Sequence, residues 1–303
     1  MRWLTAAGLV RYSAGATEEG TVRIGIALPS GIPGADGTLV IDWAVRAEER
    51  NFSHLAAVDR VRYGNYEPFT VLAAAASVTR RIRLATTILI APLRSTALLA
   101  KQVASLDRLS NGRLVLGVGL GARADDYEAT EVEYGSRGKR LSEQLADLRR
   151  HWEGDLIGPH PPRPRGPEIL IGGDSGPAFA RMARYAEGYI HGGGPPRAFA
   201  RAAGQARAAW IDAERPGRPL LWGQGYFALG GAADAGARYL KDYYAFSGPF
   251  AEKIAAAMLT TPQAVNEYIR GYEEAGCDEL SLLPTVAHLE QLDRLADIVG
   301  SFV

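Results

Sequence analysis

Two glycine-rich turns carry the clearest chemistry in this sequence, Gly172-Gly173-Asp174-Ser175-Gly176-Pro177 and His191-Gly192-Gly193-Gly194. Each follows a short apolar run and precedes a helical one. A turn of that kind leaves backbone N–H groups free at a helix N-terminus, where the helix dipole adds partial positive charge, so it suits an anion such as a phosphate. Ser175 adds a hydroxyl to the first turn, and His191 is a neutral ring able either to contact the anion or to pack as a satisfied core residue. The plainer reading of both turns is a tight bend that needs glycine at positive φ. Gly117, Gly119 and Gly121 form a third set, in LVLGVGLG. They bare one face of a strand, either for a closely approaching ligand or simply to relieve crowding.

The stretch 82–121 shows what has to position these turns. IRLATTILIA reads as a strand buried on both faces of a parallel sheet. Ser95 and Thr96 are N-cap types. Leu99, Val103 and Leu106 then recur at helical spacing with Leu98 and Leu109 beside them, and Asn111-Gly112 stops the helix. RLVLGVGLG re-enters the sheet with Leu114, Leu116, Val118 and Leu120 set to pack outward. Strand, helix and strand with almost no slack make a right-handed βαβ unit.

The same alternation runs along the chain through VRIGIALP (22–29), HLAAVD (54–59), EILIGGD (168–174), GYIHGGG (188–194), LLWGQGYFALG (220–230) and DELSLLP (278–284). Helical segments lie between, including a long one expected over Ala232–Leu259. Eight strands in residues 22–303 describe an α/β fold, a (β/α)₈ barrel in a single domain with insertions at its mouth. Residues 1–21 read as a loosely ordered extension or part of an oligomer contact, because their apolar patch is too short and interrupted for a secretion signal. The proline-rich 158–167 reads as a surface connection.

Barrel enzymes work at the C-terminal ends of their strands. Those ends are Ala27-Leu28, Asp59, Thr87-Ile88, Gly119 to Gly121, Gly172 to Ser175, His191 to Gly194, Tyr226-Phe227 and Leu283-Pro284. Arg94 and Arg123 follow two of them, able to bind an anion or to pair at the surface. Tyr239, Tyr243, Tyr244, Phe246 and Phe250 supply either a wall over the mouth or a packed helix face.

Bulk composition removes several function classes. Thirty-four basic residues balance thirty-four acidic ones, which argues against nucleic acid or an anionic membrane as partner. No apolar run reaches the roughly 18 residues of a membrane span. The single cysteine, Cys277, excludes an internal disulfide and fits a reducing cytoplasm. No His, Cys or Asp set has metal-ligand spacing, and no GxSxG, CxxC, Walker or HExxH motif is present. The four lysines lie off the strand ends, against an aldolase-type barrel.

The run LAKQ…LDRLSNGRLVLGVGLG resembles the luciferase-like family of flavin- and deazaflavin-dependent oxidoreductases, with the resemblance extending from about Val22 to the C-terminus. It implies a non-proline cis peptide at Thr87–Ile88, making a bulge that backs the cofactor ring. It also implies a cofactor phosphate near Ser175 and Gly193, and an association of copies into dimers or larger oligomers. Sugar- and alcohol-oxidising deazaflavin members carry an acidic residue followed by histidine where this chain has Asp59-Arg60, and a glutamate where it has Ala122. Arginine stays protonated and is a poor base, so that proton-transfer pair is missing. Asp59 remains able to hydrogen-bond a cofactor or substrate, or to cap structure.

The resemblance thus implies an oxidoreductase that holds a reduced flavin at Ala27, Asp59, Thr87, Ile88, Gly119, Gly172, Gly173, Asp174, Ser175, His191, Gly192, Gly193 and Gly194. Asp59, Arg60 and His191 are the only candidates for a catalytic role, and no metal is implied. The missing pair favours FMN, O₂ and monooxygenation of a small organic substrate, with a separate flavin reductase as partner. Coenzyme F420 with hydride transfer is the alternative, and a flavin-binding relative without turnover the third reading.

Overall fold

In the computed structural model, which describes residues 21–155, 157–163, 165–300 and 302, eight strands close in sequence order into a barrel. They are β1 (Arg23–Ala27), β2 (His54–Ala57), β3 (Arg83–Ile90), β4 (Leu114–Gly119), β5 (Glu168–Gly172), β6 (Gly188–Ile190), β7 (Leu220–Phe227) and β8 (Glu279–Pro284). Every neighbouring pair is parallel, and β8 closes on β1 through Ile24 opposite Leu280. Residues 1–20, most of the expected N-terminal extension, lie outside the described residues.

Helices α1 (Gly37–Glu49), α2 (Pro68–Val78) and α3 (Thr96–Leu109) follow the first three strands. After β4 come α4 (Ala124–Ala129) and α5 (Arg137–Glu153), then α6 (Gly176–Tyr185) after β5 and α7 (Pro196–Asp212) after β6. The Ser95 hydroxyl caps α3 by accepting the Leu98 N–H at 3.3 Å. Leu99, Val103 and Leu106 are buried against the barrel, each contributing about 1.5–3 kcal/mol. Asn111 at φ 57° and Gly112 at φ 82° then turn the chain back into β4.

Outward-facing Leu84, Leu114, Leu116 and Val118 share one core with the helices, whereas Ala85, Val115, Leu170, Ile190 and Trp222 fill the barrel interior. The long helix expected over Ala232–Leu259 is broken. It forms α8 (Ala233–Tyr243), a short 3-10 turn (Ala245–Ser247) and α9 (Phe250–Ala256), because Gly248 takes φ 57° ahead of Pro249. Leu240, Ala255 and Met258 of this insertion build a small separate core with Tyr226, Tyr239 and Tyr244. Helices α10 (Pro262–Glu274) and α11 (Leu289–Val299) complete the ring.

The closed end is sealed by charge. First residues of five strands meet there: Arg23, His54, Arg83, Glu168 and Glu279. Glu279 accepts from His54 Nδ1 at 2.7 Å and pairs with Arg83 and Arg23 at 2.6 Å each, while Arg83 also pairs with Glu168. His54 Nε2 meets the Ser281 hydroxyl. Only glycine fits opposite the imidazole, since a Cβ on Gly25 would lie 2.2 Å from it. Burial works to raise the Glu279 carboxyl, but Arg83, His54 and Arg23 outweigh it and hold it at about 2. Burial pushes His54 down, so the ring is neutral, donating from Nδ1 and accepting at Nε2.

Candidate active site

At the open end, β3 departs from regular pairing. Its register against β4 shifts between Thr86 and Leu89, and the Thr87–Ile88 peptide is cis, as the resemblance implies. The bulge lies against the bare face of β4. A Cβ on Gly117 would meet Thr86 O at 2.2 Å, one on Gly119 would meet Ile88 Cδ1 at 2.7 Å, and one on Gly172 would meet Ile88 Cγ2 at 3.3 Å. The space that the glycines leave is therefore taken first by the chain's own Ile88. Gly192, next around the mouth, faces open space. Ala27 and Ala56 keep the opposite side small beside Leu283, with Tyr226 packed against them. Within the bulge the Thr87 hydroxyl is buried with no hydrogen-bond partner among the described residues.

The two glycine-rich turns adjoin this shelf, since Gly172 pairs with Ile190 across β5 and β6. Gly173, Gly193 and Gly194 take φ of 123°, 102° and 116°, so the plain-turn reading holds of their backbone. It does not displace the other one. Ser175 is the N-cap of α6 and Pro195 that of α7, and neither helix start has a side-chain cap. Gly173 to Pro177 are exposed. Asp174 places a carboxylate in the turn, paired with Arg201 of α7 at 2.7 Å. At this corner two helix starts without side-chain caps therefore adjoin the Arg201 guanidinium, which is itself paired with Asp174.

The three titratable candidates are all held by the protein. Asp59 accepts the Ile90 N–H at 2.8 Å and both Arg94 nitrogens, at 2.6 and 3.2 Å. Burial raises its carboxyl, and Arg94 acts against that shift. Arg60 donates from Nε to the buried Asp126 at 2.7 Å, and the other Asp126 oxygen accepts the Val61 and Arg62 N–H groups. His191 packs outward, its ring 5.8 Å from that of Phe199 and Nδ1 3.4 Å from the Tyr272 hydroxyl. Burial lowers its pKa, so the ring is neutral. Of the two arginines expected near the mouth, Arg94 is locked on Asp59 and Glu67. Arg123 donates to Tyr243 O and lies over the Tyr243 and Phe246 rings at 4.5 and 4.2 Å. Of the aromatic run, Tyr239, Tyr243 and Tyr244 pack on one another, whereas Phe246 and Phe250 are exposed.

Some contributors have no local sequence signal. Tyr268 and Tyr272 of α10 donate to Gln224 O at 2.6 Å and Gly194 O at 3.0 Å, holding the second turn from outside. They come this close because Gly223 and Gly225 leave the outer face of β7 bare. The G-x-G spacing in β7 with tyrosines four apart in α10 was the available clue. Arg201 was recognisable only as one of many helix arginines. Among the described residues no group of three or more His, Cys, Asp or Glu could hold a metal ion, and no helix is long and apolar enough to cross a membrane.

Residues 22–277 match the family model described as luciferase-like monooxygenase. The chain belongs to this family. An uncharacterized protein of Mycobacterium tuberculosis, Rv0940c, is 34% identical over 195 residues, covering 53% of this chain and 67% of that one. Among solved structures, an F420-dependent secondary alcohol dehydrogenase in complex with an F420–acetone adduct superposes with a TM-score of 0.77 at 14% identity, covering 93% and 99% of the two chains. The FMN-bound oxygenating constituent of 3,6-diketocamphane monooxygenase from Pseudomonas putida, a type II Baeyer-Villiger enzyme, gives 0.71 at 16%, covering 93% and 98%. At these identities the two structures share the luciferase-like barrel with this chain, and their chemistries differ from one another.

Proposed function

We propose that this chain is a flavin-dependent monooxygenase that binds reduced FMN across the β3 bulge and oxygenates a small organic substrate. The observation that carries the reading is the shelf itself. Ile88 forms a floor, Gly119, Gly172 and Gly192 carry no side chain around it, and an unpaired Thr87 hydroxyl waits beside it. A flat polar ring fits that surface, and a phosphate fits the adjoining turns of Ser175 and Gly193. When bound, the reduced flavin supplies the two electrons that let one O₂ oxygen enter the substrate while the other leaves as water.

The protein's own part is placement. Ile88 and the glycines present one face for the ring, and the uncapped starts of α6 and α7 with Arg201 take the phosphate charge. The aromatic wall of Tyr226, Tyr243 and Tyr244 keeps water from the space above. Asp59, Arg60 and His191 are all engaged by protein partners, so none is poised to take a substrate proton. That favours oxygenation over alcohol oxidation by an acid–base pair. Hydride transfer with F420 is the second reading, favoured by the fold's likeness to the F420-dependent dehydrogenase.

Anaerobic fluorescence titrations with reduced FMN and with F420 decide between them. Binding of FMN alone supports monooxygenation, to be followed by substrate-dependent O₂ uptake. Binding of F420 alone transfers the assignment to hydride transfer, and binding of neither removes the cofactor from the reading.

A further inference from the structure

A cleft of about 490 Å³ opens at the mouth between the β1–α1 loop, helix α8 and the β8–α11 loop. Its size is within the range of small-molecule sites. Ile32, Pro33, Ala235, Val286 and Ala287 give it apolar walls, and Arg238 and Tyr239 project from α8 into its lining. It belongs to the open end, because the loops that form it leave strands whose Ala27 and Leu283 face each other inside the barrel.

Of the polar groups that line it, Arg238 and Tyr239 are unused, whereas Asp242 and Thr285 are hydrogen-bonded to Tyr63 and to Phe227 O. The mouth arginines Arg60, Arg94 and Arg123 are each committed to a protein partner. Arg238 has no ion pair and no hydrogen bond among the described residues, although Asp242 stands one turn along the same helix. Asp242 instead accepts from the Tyr63 hydroxyl at 3.0 Å. The Tyr239 hydroxyl has no hydrogen-bond partner among the described residues, and an ideal Cβ on Gly31 would lie 3.6 Å from it. Beside Gly31, the Ser30 hydroxyl is buried and equally without a partner.

We propose that this cleft binds a small organic acid, an apolar ring body carrying one carboxylate, with the Arg238 guanidinium on the carboxylate and the Tyr239 hydroxyl as a second donor. Apolar walls reward a ring, and a planar five-donor guanidinium matches a carboxylate better than any neutral polar group. This names the substrate class of the proposed oxygenation and rests on that reading. The binding itself is independent of it.

Calorimetric titration of the full chain with 2-naphthoate and its neutral isostere 2-naphthamide tests the proposal. Naphthoate is expected to bind about tenfold more tightly, the worth of a charged hydrogen bond discounted for the open rim. Arg238→Gln is expected to erase that preference while retaining naphthamide binding. Ala235→Trp, which fills the cleft, is expected to abolish both. Equal affinities, no naphthoate binding, or a preference that survives either variant overturns the proposal. Titrating the same protein with reduced FMN and F420 separates the two failures. Cofactor binding without naphthoate binding sinks the carboxylate site alone, and naphthoate preference without cofactor binding sinks the proposed function alone.

Discussion

Arg94 grips both carboxylate oxygens of Asp59, at 2.6 and 3.2 Å, joining the exit of β2 to the exit of β3. The Asp59 side chain is 2% exposed and that of Arg94 13%. Removing one charge from such a pair leaves the other buried and uncompensated. Asp59→Asn should therefore destabilise the fold by about 2–3 kcal/mol, Glu67 retaining part of the Arg94 charge. Urea unfolding measures this. Unchanged stability with turnover abolished would instead make Asp59 a proton-transfer group.

The shelf predicts a contrast between two neighbouring glycines. A methyl on Gly117 runs into backbone, Thr86 O, which cannot yield without moving the bulge. Gly117→Ala should cost about 3 kcal/mol. A methyl on Gly119 meets only the far end of the Ile88 side chain, which can rotate. Gly119→Ala should cost about 1 kcal/mol and still weaken reduced-cofactor binding at least tenfold by pushing Ile88 into the ring's space. Equal stability losses in the two variants, or normal cofactor affinity in Gly119→Ala, contradict this account of the floor.

How far the sequence alone led follows from how local each signal is. The barrel was readable because β3, α3 and β4 each declare themselves within a few residues: β-branched run, Ser95 cap, Asn111-Gly112 stop. The bare face of β4 was readable too. What occupies it was not, since Ile88 reaches it only through the bulge. Asp59 and Arg60 stayed ambiguous because their partners lie 35 and 66 positions away, in Arg94 and Asp126. The seal of the closed end gave no signal, because His54, Arg83 and Glu279 meet only after the barrel closes. The break in Ala232–Leu259 has a local signal in Gly248-Pro249, which a single long helix leaves out of account.

The closed-end network makes the fold acid-sensitive in two stages. His54 is held below its ordinary value of 6.5, so on acidification the unfolded chain takes up that proton before the folded one. Stability must fall as pH drops below about 6.5, by at most about 1.4 kcal/mol per unit for this group. Glu279 is held at about 2 against 4.5, so its contribution is complete above pH 4.5 and disappears as pH falls through 2. Urea midpoints at pH 7, 6 and 5 should decline in the wild type. His54→Gln should be less stable at pH 7 and show a flatter decline. Parallel declines would place the sensitivity elsewhere, His191 being the next group to test.

Asp174 and Arg201 separate a binding role from a structural one. Their side chains are 47% and 65% exposed, so the pair adds little to the fold. Replacing either should leave the thermal midpoint within error. A phosphate arriving at the uncapped starts of α6 and α7 meets both charges, one opposing it and one attracting it. Asp174→Asn should therefore tighten reduced FMN about threefold, and Arg201→Ala should weaken it about tenfold, with both effects shrinking in high salt. Riboflavin, which has no phosphate, should bind the two variants and the wild type alike. If riboflavin follows the same pattern as FMN, the corner acts on the ring and not on the phosphate, and the anion site must be moved away from these turns.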